Sequence, residues 1–296
     1  MATGLITVTR ADAFIPEIWS KEAQIATERN LVAVKLINSQ FENEVTEGDT
    51  LRIPQVSNLT ARSKTAGTDV TFETFTESQI TVTIATHSYA AFSLEDIVAV
   101  QANQDLRARY TDRIGYTLAQ DMDATVLGLY SGLSQSVGVQ GTDVTDANFR
   151  RSVQYLDDAD CPAGERSAIF VPAQMNAILA LSRFTEAQIV GYNSDNSPIV
   201  TGYLQGGQQE GTKVKGLWGM AYGVNVYMST NVRTTGTSPL SYHNLLFHKD
   251  AFIIVRQMDV RVQAQYRIAG LTTEVVGDVL YGVAEYRDTF ACRILT

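Results

Sequence analysis

The chain has 296 residues, a mass of 32.4 kDa and 23 Lys+Arg against 32 Asp+Glu, which leaves a formal net charge of −9. This length allows one large domain or two modest ones, and 45% apolar with 19% charged residues excludes wholesale disorder. The acidic balance, with a pI near 4.9, argues against a dedicated nucleic-acid grip, and two cysteines are too few for a disulfide scaffold.

From Met1 to Trp19 there is no basic region followed by an apolar run, so no secretory signal is expected. Phe14, Ile15, Ile18 and Trp19 suit a docking arm, and Pro16 suits a first helical turn. Lys21 to Ile37 is loosely periodic and predicts a short helix. Glu47-Gly48-Asp49 signals a turn, and Leu51-Arg52-Ile53 opens an alternating strand. Alternation returns at Ile80, Val82 and Ile84. Between these stems, Ser57 to Ser78 spans 22 residues with six threonines and little core material beyond Leu59, Val70, Phe72 and Phe75. That is too long for an ordinary connection and predicts a protruding β-hairpin. Its charges are segregated, with Arg62 and Lys64 early and Asp69, Glu73 and Glu77 late.

Ser93 with Asp96 three residues on matches a capping box, and Phe92 with Ile97 matches a hydrophobic staple, so a helix is expected to start there. After a break near Asn103, Leu106, Tyr110, Ile114, Leu118, Met122, Val126 and Tyr130 recur every four residues. On a helix of about 3.6 residues per turn this stripe gains about 40° per step, so it winds and meets different neighbours along its length. Ala124 to Thr142 is charge-free over 19 residues, but its serines, glutamines and glycines dilute it below what a membrane span needs, and we expect a soluble chain.

Asp143 to Phe252 reads as mixed α/β. Thr145 caps a helix through Phe149, Val153 and Leu156 that ends at Cys161-Pro162. Ala168 to Val171 is a strand, and Pro172 opens a helix with Met175, Ile178, Leu179 and Leu181. Asn193 to Lys213 is a polar, Gly-rich loop, and Val224 to Met228 and Leu245 to His248 are strands. In the last part, Val260, Val262, Ala264 and Tyr266 alternate with Arg261, Gln263, Gln265 and Arg267, which predicts a half-buried strand. Val275 to Tyr286 and Thr289 to Leu295 are expected to complete one sheet.

Signatures of chemistry are sparse. His243 and His248 are five apart on or beside a strand, hence on opposite faces, and His87 is remote from both in sequence. Cys161 and Cys292 stand outside any C-x-x-C pair and read as small buried apolars. Gly206 to Lys213 resembles a P-loop only until its Thr-Lys order, which puts the lysine one position too late. Asp157, Asp158 and Asp160 suit a turn, while Asp121 and Asp123 are two apart on a helix and do not face each other. No catalytic residue, metal or cofactor is therefore expected.

Taken in order, Phe14-Ile15-Pro16-Glu17-Ile18-Trp19-Ser20, Glu47-Gly48-Asp49-Thr50, Phe92-Ser93-Leu94-Glu95-Asp96, Phe170-Val171-Pro172 and Tyr222-Gly223-Val224-Asn225-Val226 resemble the major capsid proteins of tailed bacteriophages with the HK97 fold. The resemblance covers nearly the whole chain and implies an α+β fold. It implies an N-terminal arm over 1–46, an extended loop over 47–85 and a peripheral domain with a spine helix over 86–145. An axial domain over 146–250 and peripheral strands over 251–296 complete it. It implies a virion shell protein, assembled in the host cytoplasm, that forms hexamers and pentamers of itself. Portal, scaffolding or decoration proteins would be its partners, with DNA enclosed without sequence-specific contacts and no membrane. Phe14, Trp19, Arg62, Lys64, Asp69, Phe72, Glu73, Phe75 and Glu77 are then the expected contacts between subunits. Some relatives crosslink a loop lysine to a neighbour's asparagine; Lys64 is the only lysine in the protruding segment, and we expect it and Arg62 to make ion pairs across subunits. The alternatives are an encapsulin-like compartment of the same fold and a soluble hydrolase using a carboxylate pair.

Overall fold

A computed structural model describes residues 31–41, 45, 47–55, 59–70, 72–74, 78–96, 106–180, 191–192, 198–199, 217–236 and 240–296. In chain order the elements are α1 (Ala33–Leu36), β1 (Thr50–Gln55), β2 (Ser78–Thr83), β3 (Thr86–Glu95), α2 (Leu106–Gly128), β4 (Ser136–Gly138), α3 (Asp146–Asp158), β5 (Arg166–Phe170), α4 (Pro172–Leu179), β6 (Gly191–Tyr192) and β7 (Pro198–Ile199). They continue with β8 (Leu217–Ala221), β9 (Val224–Met228), β10 (Thr234–Thr235), β11 (Ser241–His248), β12 (Phe252–Arg267), β13 (Thr272–Glu285) and β14 (Ala291–Leu295). No described helix is long and apolar enough to cross a membrane.

Two sheets carry the core. The larger runs β4-β14-β11-β5-β9-β8, with β10 on the end of β11. It is mixed, since β14 is parallel to β4 and β5 to β9 while the other neighbours are antiparallel. All five residues of β5 are buried, as expected for a central strand covered on both faces. Thr145 caps α3 by accepting the Asn148 N–H at 3.2 Å, and Pro172 occupies the first turn of α4. The smaller sheet is antiparallel, in the order β12-β13-β3.

Helix α2 spans from one sheet to the other, as its winding stripe predicts. Tyr110 meets Phe92 of β3, with ring centroids 5.3 Å apart. Ile114, Leu118, Met122 and Val126 are buried. At the far end Tyr130 stacks on His243 of the large sheet, with centroids 4.0 Å apart and planes within 8°. A β-carbon at Gly277 would lie 2.2 Å from the Ile114 Cγ2, so the bare glycine is what lets helix and sheet approach.

The hairpin stems pair as their alternation predicts. Strands β1 and β2 run antiparallel from Thr50 opposite Thr83 to Gln55 opposite Ser78. Gly48 makes the preceding turn at φ +99°. Val45, Ile53, Val82 and Ile84 form a separate apolar cluster with Ile253 and Val255 of β12, so the stems root on the smaller sheet. Gly282 of β13 passes under this root, where a β-carbon would lie 2.4 Å from the Thr83 carbonyl oxygen.

Several expectations need correcting. Ser93 lies inside β3, paired with Glu274, and caps no helix; the strand runs to Glu95 and Asp96 is the helical residue. The local capping pattern loses to a ten-residue ladder with β13, in which Phe92 is committed opposite Val275. The strand segment 260–267 is exposed on both faces, because α2 covers β13 and β3 more than this outer strand. The terminal strands do not form one sheet: β13 belongs to the smaller sheet, whereas β14 lies between β4 and β11 in the larger. Within the expected 193–213 loop, Pro198–Ile199 pairs with Gly191–Tyr192. The expected helix from Lys21 lies outside the described residues except for its end, where α1 occupies Ala33–Leu36. Ile97, Leu181 and Gly206 to Lys213 also lie outside them.

Gly282 of β13 and Gly115 of α2 predict opposite results from the same substitution. Gly282→Ala forces a methyl against backbone and should destabilise by about 1–3 kcal/mol. Gly115→Ala, with nothing among the described residues within 4 Å of its β-carbon position, should be neutral or stabilise by up to about 1 kcal/mol. Denaturant midpoints of the two variants check this ordering.

Candidate assembly surfaces

The protruding segment between β1 and β2 has the surface chemistry of a docking element. Every described residue from Leu59 to Val70 is exposed. Leu59 is 71% exposed, Val70 59% and Phe72 88%, values that an isolated fold does not need on three residues of one loop. The chain turns at Thr65–Thr68, where the Thr68 hydroxyl donates to the Thr65 carbonyl at 2.9 Å and Gly67 takes φ +87°. The loop bends round an open concavity lined by Leu59, Arg62, Lys64, Val70 and Phe72 among others.

The segregated charges meet across the loop. Arg62 Nη2 lies 3.1 Å from Glu73 Oε1, and the Thr60 N–H donates to Glu73 Oε2 at 3.2 Å. Arg62 and Glu73 therefore brace the two limbs against each other. Lys64 and Asp69 stand exposed nearer the turn. Phe14, Trp19, Phe75 and Glu77 lie outside the described residues.

A second exposed surface is the face of the β12-β13-β3 sheet turned away from α2. Cross-strand neighbours in an antiparallel ladder share a face. Tyr89, Asp278 and Arg261 therefore lie in one row, and Ala91, Val276 and Gln263 in the next. Tyr89 is 73% exposed and Val276 38%. At the end of the β12–β13 hairpin, Ile268 and Leu271 are exposed as well, and Leu271 takes the left-handed φ of 48°.

One charged cluster organises this face, and reading the sequence missed it. Arg261 grips Asp278 with two bonds, Nε to Oδ1 and Nη2 to Oδ2, both 2.9 Å, and His87 Nε2 lies 3.0 Å from Oδ2. These partners, Arg261 foremost and His87 next, hold the Asp278 carboxyl down at about 2. On the helix side, Asp121 Oδ2 accepts from Ser88 at 2.6 Å and from Tyr281 at 3.0 Å, which ties α2 to β3 and β13.

The remaining candidates for chemistry are engaged structurally. His243 and His248 do lie on opposite faces of β11, one stacked on Tyr130 and the other edge-on to Phe290. Burial pushes the Cys292 thiol up to about 12, far from a ready nucleophile. Asp157 pairs with the buried Arg166 at 2.6 Å. Burial, with the charge of Asp288, pushes the Glu285 carboxyl up, and Asp288 accepts the Ser134 N–H at 2.9 Å. Among the described residues, no group of three or more His, Cys, Asp or Glu side chains could hold a metal ion.

Solved structures identify the architecture. A chain of Mycobacterium phage Che8 superposes with a TM-score of 0.75 over 95% of this chain and 97% of its own, at 22% identity. The capsid structure of the cyanophage P-SCSP1u gives 0.72 over 96% and 93% at 14% identity, and the capsid of Ralstonia phage GP4 gives 0.68 over 100% and 98% at 15% identity. This is the fold of phage capsid chains. The match runs nearly end to end on both sides. No protein-family model matches the chain, and no curated protein sequence does.

The Asp278 cluster predicts a signature in acid. Its carboxyl is depressed, so its stabilising effect is present above the ordinary carboxylate value of 3.8 and is lost as pH falls toward about 2. Asp278→Asn should remove that part of the acid-induced loss. Unfolding midpoints should fall less steeply between about pH 4 and pH 2 in the variant than in the parent chain.

Proposed function

We propose that the chain is the major capsid protein of a tailed bacteriophage, a non-enzymatic subunit that assembles with copies of itself into the icosahedral head shell around the phage genome. The observation that carries this reading is the end-to-end match to phage capsid chains such as those of P-SCSP1u and GP4. The exposed, internally braced hairpin supports it, because such an element adds contact area on a neighbour and little to its own core.

In HK97 terms, we take the β1–β2 hairpin as the extended loop, α2 as the spine helix and the β12-β13-β3 sheet as the peripheral domain. The part of the larger sheet within 146–250 is the axial domain, with β4 and β14 joining it from the segments expected to be peripheral, and residues 1–46 are the arm. Copies would group as hexamers and pentamers, with hairpins overlapping neighbours at angles that vary round the shell. Arg62, Lys64, Asp69, Phe72 and Glu73 form the docking end, together with Phe75 and Glu77, while Phe14 and Trp19 serve the arm. Since Arg62 and Glu73 brace the loop itself, Lys64 and Asp69 are the charges best placed to meet a neighbour. Exposed pairs of this kind contribute about 0–1 kcal/mol each and weaken with salt, but they recur at every subunit. Portal, scaffolding or decoration proteins would complete the head in the host cytoplasm. The net charge of −9 suits a container that holds DNA without gripping it. The encapsulin-like and hydrolase alternatives have no comparable support.

Replacing residues 58–77 by a short Asn-Gly turn tests the reading. The shortened chain should stay folded and soluble, with an unchanged far-UV spectrum, and should fail to close shells or close fragile ones. Unfolding of the isolated subunit would place the segment in the core. Normal assembly would remove the hairpin from the contact surface.

A further inference from the structure

The first described turn of the chain has a poor start of its own. Helix α1 is one turn long, and the residue at its N-cap position is Val32, whose side chain makes no capping bond. An apolar side chain cannot satisfy the free N–H groups of a first turn. The bond comes from 90 residues away. Asp123, on α2, is 1% exposed, and its Oδ1 accepts the Ala33 N–H at 2.7 Å.

The second oxygen reaches a different part of the fold. Asn231 Nδ2 donates to Asp123 Oδ2 at 3.1 Å and to the Gln120 carbonyl of α2 at 3.2 Å. Two residues on, Arg233 Nε donates to the Ala124 carbonyl at 3.0 Å. Segment 31–38 then continues outward: the Asn38 amide donates to Asp250 at 2.8 Å, and its backbone bonds to Phe252 and Ile254 of β12. One buried carboxylate thus joins the start of the described chain, the long helix and the turn that leads out of β9.

The energetics argue that geometry is the point. Among the described residues no cation pairs with Asp123, and burial pushes its carboxyl up against the pull of the donors. Burying a charge without a counter-ion is costly, and an apolar residue of similar volume would fill the space with less penalty. What an apolar residue cannot do is accept bonds from the Ala33 N–H and from Asn231 at once.

We propose that Asp123 is a positioning residue: it clips the root of the N-terminal segment onto α2 and, through Asn231, locks that root to the 229–233 turn. The point from which residues 1–30 depart is set by this clip. The consequence for arm placement in a shell rests on the proposed capsid function, whereas the clip itself is a property of the single subunit.

The test uses the full-length unassembled chain and trypsin. Lys35 is exposed but sits in α1, so its cleavage reports release of the root. Asp123→Leu should speed cleavage after Lys35 by about tenfold or more, the scale expected when buried bonds to a charged acceptor are lost, and leave cleavage after Arg151 in α3 unchanged. Asp123→Asn keeps an acceptor for the Ala33 N–H but sets its own amide N–H₂ against that of Asn231, so it should restore part of the protection. If Asp123→Leu does not fold, Asn231→Ala, which removes only the partner of Oδ2, should speed cleavage after Lys35 in the same direction and by less. Protection of Lys35 in both Asp123→Leu and Asn231→Ala would overturn the proposal. So would equal acceleration after Lys35 and Arg151, which marks an ordinary core residue, or an Asp123→Asn variant no better than Asp123→Leu. Particle assays enter none of these outcomes, so a failure here is separable from a failure of the capsid reading.

Discussion

Helix α2 can approach the β12-β13-β3 sheet closely because Gly277 has no side chain to meet Ile114. The rest of the molecule is arranged along that contact. Near one end of the helix, Tyr110 packs on Phe92; in the middle, Asp121 takes hydrogen bonds from Ser88 and Tyr281; past its far end, Tyr130 stacks on a histidine of the larger sheet. A stripe repeating every four residues drifts round a helix, and this drift lets one element serve two sheets that share no strand. The hairpin stems, rooted on Ile253 and Val255 of β12, inherit their placement from the same sheet.

The hairpin shows how a protruding element keeps its shape without a core. Its described limbs between the stems are exposed nearly throughout, so apolar burial cannot order them. The Arg62–Glu73 pair and the Thr60 bond to the same carboxylate supply the bracing instead. At a surface this is a weak device, and it suits a limb that must adjust to neighbours at more than one angle. The apolar side chains Leu59, Val70 and Phe72 stay exposed, available to whatever the limb docks on.

What could be read from the sequence was local and periodic. The stems were legible because period-2 alternation resumes on either side of a polar stretch and Gly48 marks the turn before it. The long helix was legible from its stripe, and α3 from Thr145. Long-range choices were not. Ser93 carries a sound capping pattern, yet ten residues of pairing with β13 outweigh it. The alternation of 260–267 is real, but burial depends on how far α2 reaches across the sheet, which no local pattern encodes. Asp278 and Arg261 are 17 apart and face each other only through a hairpin register with two irregularities. Asp121 and Asp123 read from the sequence as carboxylates that do not face each other, and in the fold they point to different neighbours, one at the sheet and one at the root of the chain; which neighbours those are no local pattern encodes.

If the chain is a shell subunit, its exposed surfaces are completed by other copies of it. Negative-stain imaging of the purified chain under assembly conditions decides this, and closed icosahedral shells of uniform size are expected. A stable small oligomer under every assembly condition, with no shells in the field, would contradict it.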